Sequence, residues 1–154
     1  MDDAPLPTLV EASVVRPLRH AVLRPGQPAT ASHYPEDDDP RTAHAAVRAP
    51  DVVAVGTVLC EAPPWEPGRP DAWRVRGMAT RPDARGRGHG SAVLAALVDH
   101  ARRQGGTLLW CNARVPARPL YERAGMAVRG EAFEVPLIGP HVRMWRALGG
   151  GPAT

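Results

Sequence analysis

Residues 72–103 read AWRVRGMATRPDARGRGHGSAVLAALVDHARR, and this stretch decides the fold. Its opening run, Ala72 to Thr80, is β-rich, and Pro82 stops it by supplying no donor and holding Arg81 extended. From Ser91 to Arg103 the apolar residues Val93, Leu94, Leu97, Val98 and Ala101 recur at helical spacing, with Asp99, Arg102 and Arg103 on the other side. Gly105 and Gly106 end that helix. Between strand and helix lies Arg85-Gly86-Arg87-Gly88-His89-Gly90. Glycines let a ligand approach the backbone closely, and the first turn of the helix offers unpaired N–H groups and a positive dipole end. A phosphate or pyrophosphate suits such a turn, and Arg85 and Arg87 can add charge-assisted contacts.

Working outward, Leu108 to Cys111 reads as a short buried strand and Pro116 to Arg123 as a helix closed by Gly125. Further strands read at Met126 to Val135 and His141 to Leu148. Upstream, Thr42 to Val47 and Val52 to Cys60 form a hairpin around Ala49, Pro50 and Asp51. The second run is apolar on both faces, which predicts a central strand with helices on each side. Glu61 to Asp71 is a connecting loop. Thr8 to Val15 reads as a strand and Pro17 to Leu23 as one or two helical turns. Arg24 to Thr42, with four prolines and the acidic run Glu36, Asp37, Asp38, Asp39, reads as a surface loop. The sum is an α/β protein with a mixed sheet.

A chain of 154 residues with 44% apolar content fits one domain, expected over residues 1–148 with 149–154 as a disordered tail. Cys60 and Cys111 stand alone, with no CxxC pair, so neither a disulfide framework nor a metal site is expected. All 19 basic residues are arginine, and the net charge is only +3. That balance, with few aromatics and none interleaved with the arginines, argues against nucleic acid as a partner. No stretch approaches the roughly 20 apolar residues of a membrane span. The first residues lack the basic and apolar regions of a signal peptide, so the expected location is cytoplasmic, away from membranes.

Which phosphate ligand the turn takes follows partly by elimination. A nucleoside-triphosphate loop needs GxxxxGK before Ser or Thr, and the chain has no lysine. A dinucleotide fingerprint needs GxGxxG and an acid about 20 residues on; here the spacing is GxGxG, and Leu108 to Trp110 occupies the acid's place. What remains is Arg or Gln, two residues, Gly, one residue, then Gly or Ala, which Arg85, Gly88 and Gly90 meet. Residues 77–105, GMATRPDARGRGHGSAVLAALVDHARRQG, resemble the acyl-coenzyme A binding motif of the GNAT N-acetyltransferase superfamily. Residues 111–126, CNARVPARPLYERAGM, look like the same superfamily's next segment.

The resemblance implies a mixed central sheet flanked by helices, with two central strands splayed apart, and acetyl-CoA as cofactor. It implies that Met78, Ala79 and Thr80 pair through their backbone with the pantetheine arm, while Arg85, Gly86, Arg87, Gly88, His89, Gly90 and Ser91 hold the pyrophosphate. Acetyl transfer from a thioester to an amine needs a neutral amine, an oxyanion donor and a proton for the departing thiolate. Tyr121 matches the superfamily's common acid position, and a phenol of pKa about 10 keeps its proton at neutral pH. A backbone N–H near Met78 or Ala79 is the expected oxyanion donor. Asn112 and Arg114 are expected to contact cofactor or substrate. The superfamily's commoner pattern puts Asn seven residues before the Tyr, a place taken here by Arg114, with Asn112 nine before.

For the general base, alternation in TAHAAV sets Thr42 and His44 opposite Ala43, Ala45 and Val47, which turns His44 toward a cleft. His141, Glu134 and a water chain stay open as alternatives. LRHAVLRPGQP (18–28) and GPHVRMW (139–145) resemble a bacterial branch of small GNAT proteins. They point to Arg19, Arg24, Asp38, His44 and His141 on the acceptor side, where arginines suit a carboxylate and an aspartate suits an ammonium, and Arg114 is counted with the substrate contacts. Trp65, Trp73, Trp110 and Trp145 read as packing residues, and an exposed late strand would allow a homodimer. Cys60 in a buried strand and Cys111 without a base at readable spacing leave direct attack on the thioester as the expected route. A non-catalytic acyl-CoA sensor and a fold-only interaction module are the rival readings.

Overall fold

The computed structural model describes residues 5–149, so residues 150–154 of the expected tail lie outside the described residues. Seven strands form one sheet in the order β1-β2-β3-β4-β5-β7-β6. They are β1 (Thr8–Val10), β2 (Ala43–Arg48), β3 (Val52–Cys60), β4 (Ala72–Thr80), β5 (Leu108–Arg114), β6 (Ala127–Val135) and β7 (Gly139–Ala147). The helices are α1 (Ala12–Leu23), α2 (His89–Arg103) and α3 (Arg118–Arg123). Only β4 and β5 run parallel, joined by the α2 crossover; every other neighbouring pair is antiparallel. This is the mixed, helix-flanked α/β sheet that the residues predict.

Two apolar layers hold the sheet. On one face Val93, Leu94, Leu97, Val98 and Ala101 of α2 pack with Tyr121 of α3 onto Ala43, Ala45, Val47, Val75, Leu109 and Met144. On the other, Val15 of α1 packs with Val14, Leu18 and Val22 onto Ala46, Val55 and Ala79. Covered on both sides, β2 and β3 are buried along nearly their whole length, as the apolar run of β3 predicts.

The amino-terminal reading needs correction. Strand β1 is three residues long, and the helix begins at Ala12 rather than Pro17. The β-branched Val10, Val14 and Val15 favour a strand locally, but Val15, Leu18 and Val22 also repeat at helical spacing, and burial against the sheet decides for the helix. Pro17 is tolerated within it on the exposed side. The 24–42 segment is likewise more ordered than a plain loop, with 3₁₀ turns at Ala29–Ser32 and Pro35–Asp38.

One irregularity positions the site. Between Val55↔Ala79 and Thr57↔Arg76, three steps along β4 match two along β3, so β4 bulges at Gly77 and Met78. Gly77 has φ +68°, and a Cβ there would come within 2.9 Å of Arg19 Nε and 3.3 Å of Tyr34 Cε2. Glycine therefore serves twice here: it accepts the left-handed backbone, and it leaves room for a guanidinium under the strand.

Candidate functional site

The two parallel strands separate. Pairing between β4 and β5 runs from Ala72↔Leu108 to Val75↔Cys111 and stops there, although β4 continues to Thr80 and β5 to Arg114. From Arg76 onward β4 has ladder partners only on its β3 side. The backbone of Met78, Ala79 and Thr80 thus presents an open edge in the middle of a sheet, to which an extended ligand can add hydrogen bonds. The expected splay is therefore present.

The glycine turn stands at the end of that edge. Gly88 caps α2 with φ +83° and no side-chain cap, and the first helical bond is Ala92 N–H to the Gly88 carbonyl at 3.0 Å. The N–H groups of His89, Gly90 and Ser91 precede it and have no intrahelical acceptor. A Cβ built on Gly86 or Gly88 meets nothing within 4 Å, whereas one on Gly90 would sit 3.5 Å from Thr80 Oγ1 and 3.7 Å from Leu120 Cδ1. The turn is an open cradle of amides seated between β4 and α3. Arg85 and Arg87 are exposed beside it, and His89 is buried. A groove of about 290 Å³ continues between α2 and α3 past Ser91, Leu94 and Leu120. These features fit a diphosphate followed by an extended amide-bearing arm.

Tyr121 is only 5% exposed, packed in the core with Cys111, Ala113, Met126 and Val142. Burial first, and then the neighbouring Cys111, push its phenol well above the usual value, so it is protonated at any physiological pH. Burial likewise pushes the Cys111 thiol up to about 12, which removes it as a nucleophile.

Several expected site residues belong to a buried network instead. Arg19 is wholly buried, and its guanidinium is consumed by Asp37 (2.8 and 3.2 Å), the Ser32 carbonyl (2.8 Å) and Thr57 Oγ1 (2.7 Å). Asp37, not Asp38, is the buried acid; Asp38 is 90% exposed at its side chain. Burial alone would raise the Asp37 pKa, but the bonds and charge of Arg19 and the Tyr34 amide outweigh it, and the carboxyl sits below the usual range. His44 lies on the α1 face, as alternation requires, yet is 4% exposed with both ring nitrogens engaged. Its Nε2 lies 3.0 Å from the Asp37 carbonyl, which can only accept, so that nitrogen carries the proton and Nδ1 accepts from Thr57 at 2.8 Å. Burial holds the ring below its ordinary pKa. A histidine locked this way has no lone pair to offer, so His44 is corrected from general base to scaffold, and Arg19 and Asp38 from acceptor contacts to scaffold and solvent.

Of the other expected residues, Arg24, Arg114 and His141 come together at the open end of the sheet. Arg24 and Arg114 both donate to the Leu23 carbonyl, at 2.8 and 2.9 Å, at the C-terminus of α1. Arg114 pairs across the ladder with His141, whose Nδ1 donates to the Gly139 carbonyl at 2.9 Å, leaving Nε2 as the lone-pair nitrogen. Glu134 is exposed on the edge strand β6. Asn112, expected to contact cofactor or substrate, lies opposite Arg143 on the face away from Cys111 and Ala113, the face that α1 covers. Sequence reading missed Arg76 and Tyr34. The Tyr34 ring is held between the Arg19 and Arg76 guanidiniums at 3.9 and 3.7 Å. Alternation in AWRVRG, which sets Arg74 and Arg76 on one face, is the signal that could have found Arg76; no local pattern marks Tyr34. Among the described residues no group of three metal-ligating side chains occurs, and no helix is long and apolar enough to cross a membrane.

Comparison with known proteins agrees with this geometry. Residues 15–126 match the family model of the acetyltransferase (GNAT) family. The chain is 30% identical over 133 residues to the uncharacterized N-acetyltransferase YitI of Bacillus subtilis, spanning 85% of this chain and 88% of that protein. A phosphinothricin acetyltransferase from Sinorhizobium meliloti, solved with AcCoA, superposes with a TM-score of 0.72 at 18% identity, covering 99% of this chain and 92% of that one. A Bacillus subtilis acetyltransferase solved with CoA gives 0.66 at 14% identity, over 93% and 98% of the two chains.

Proposed function

The chain belongs to the GNAT acetyltransferase family, and from that premise we propose that it moves an acetyl group from acetyl-CoA to the primary amine of a small molecule by direct attack. The carrying observation is the meeting of two features: the unpaired edge of β4 from Arg76 to Thr80, and the open amide cradle of Gly86 to Ser91 at its end. Met78, Ala79 and Thr80 would hold the pantetheine arm by their backbone. Arg85, Arg87 and the amides of Gly88 to Ser91 would hold the diphosphate. When bound, acetyl-CoA supplies the activated acyl carbon and a thiolate leaving group.

The chain's own groups then divide the chemistry. Tyr121 Oη keeps its proton at working pH and is the donor to the departing sulfur. A β4 amide near Met78 or Ala79 is the donor to the developing oxyanion. With His44 locked, His141, buried but with Nε2 free of a protein partner among the described residues, is the side-chain lone pair we assign to take the amine's proton. Burial and protonation of Cys111 favour direct attack over a covalent thiol route.

The experiment is thiol release from acetyl-CoA across a panel of amines, with CoA binding followed by calorimetry. Tyr121→Phe is expected to lower kcat by more than about tenfold with CoA affinity unchanged; unaltered turnover removes the general-acid assignment. CoA binding without thiol release from any amine would instead make the protein an acyl-CoA sensor.

A further inference from the structure

Rows of side chains cross the sheet face beyond α1, defined by the ladder registers and, past the end of the β4–β5 pairing, by alternation along each strand. In the first, Arg74 lies opposite Trp110, and Trp110 opposite Trp145. The charge of this row is paired within the protein: Arg74 pairs with Glu61 at 3.0 Å, leaving only its buried Nε without a partner, and Trp110 Nε1 donates to the Glu61 carbonyl at 2.8 Å. In the next row, Arg76 follows Arg74 by two residues and Asn112 follows Trp110 by two, so both keep the same face. Asn112 lies opposite Arg143, and Arg143 opposite Arg129.

Here nothing is paired. The three guanidiniums lie over aromatic rings, Arg76 over Tyr34 at 3.7 Å, Arg143 over Phe133 at 4.8 Å and Arg129 over Trp65 at 4.8 Å. Among the described residues none of the three has a carboxylate within ion-pair distance or a hydrogen bond to protein. An aromatic ring under a guanidinium restrains it without using its N–H donors, which stay available to a planar oxyanion. Two polar atoms in mid-row are buried without a partner, Asn112 Oδ1 and Arg143 Nε. One is an acceptor and the other a donor, on residues directly opposite each other. A general positive patch would explain a spare donor; it does not explain a spare acceptor beside it.

Resting on the acyl-transfer reading above, we infer that the acceptor is a free amino acid or similar small amine carrying a carboxylate on the adjacent carbon. Arg143 receives the carboxylate, and Arg76 adds positive charge from across the β4–β5 opening. Asn112 Oδ1 accepts from the amine at the start of the β4–β5 opening, where the amine faces the acyl group. Arg129 adds charge at the rim. The same row disfavours polycationic amines, because like charges meet with no carboxylate between them.

The test measures thiol release with L-glutamate, L-methionine and L-phenylalanine, each against its methyl ester, together with phenethylamine and spermidine. At least one free amino acid is expected to exceed its ester in kcat/KM by about tenfold or more, the scale of one charge-assisted contact. Arg143→Gln is expected to erase that preference, raising KM for the free acid more than for its ester, with CoA affinity unchanged. The exposed Arg129→Gln, which carries little folding risk, is expected to lower the preference by a smaller factor. Esters, phenethylamine or spermidine turned over as well as the free acids overturn the inference while leaving acyl transfer intact. If no amine releases thiol, acyl transfer itself falls, and calorimetric titration of the CoA-loaded protein with L-glutamate decides the carboxylate site separately. Binding lost in Arg143→Gln upholds it, and no binding to the wild-type chain overturns it.

Discussion

At the scale of single residues, burial assigns the roles. Tyr121 is forced to stay neutral by its surroundings, so its own titration sets no alkaline limb on kcat until well above the phenol's usual pKa of about 10. A rate profile that falls near pH 9 in the wild-type chain and not in Tyr121→Phe would contradict this. Asp37 collects donors from Arg16, Arg19 and the Tyr34 amide, so its charge is needed where it lies. Asp37→Asn leaves the buried Arg19 without its counter-ion, and a loss of about 3–5 kcal/mol is expected by chemical denaturation. The pH dependence of stability follows from the same network. His44 has a lowered folded pKa, so as pH falls below about 6.5 the unfolded chain takes up a proton that the folded chain refuses, and stability drops. Asp37, also lowered, keeps its contribution above about pH 4 and loses it only as pH falls through its folded value. Melting curves should therefore show a first decline just below pH 6.5 that His44→Gln removes.

Among the elements, the turn and the bulge carry the site. Gly88→Glu puts a side chain and a negative charge into the amide cradle at φ +83°, and CoA binding should vanish while the circular dichroism spectrum stays. Gly77→Ala meets both a left-handed backbone and Arg19 Nε at 2.9 Å, and about 1–3 kcal/mol of destabilisation is expected in urea. Local pattern made β4, α2 and the turn between them legible, because each is specified by neighbours in the chain: alternation around Val75, period 3.6 from Val93 to Ala101, and glycines at the junction. What depended on distant partners was not legible. Val14 and Val15 read as strand because their helix is selected only by Ala46 and Val55 across a gap in sequence. Asp37 and Asp38 are indistinguishable as letters; a 3₁₀ turn beginning at Pro35 decides which one points inward to Arg19. His44 was placed on the correct face, but the segment that covers it comes from residues 24–42, whose fold local pattern did not predict.

For the molecule as a whole, charge and sheet integrity matter most. Arg24, Arg76, Arg114, Arg129 and Arg143 gather toward the open end without a carboxylate in ion-pair range among the described residues. Raising salt from about 50 to 500 mM shortens the screening length from roughly 14 to 4 Å, so KM for an anionic acceptor should rise severalfold while KM for a neutral amine stays level. A sheet whose central parallel pair parts after four residues on each strand lacks a row of cross-strand bonds where other sheets are strongest. Any molecule lying in that parting acts as a temporary eighth strand. Deuterium uptake at the amides of residues 76–80 should slow on adding CoA, and the melting temperature should climb with the logarithm of its concentration. The protein's resistance to heat and proteases in a cell would then track how well that cell is fed with activated acyl groups.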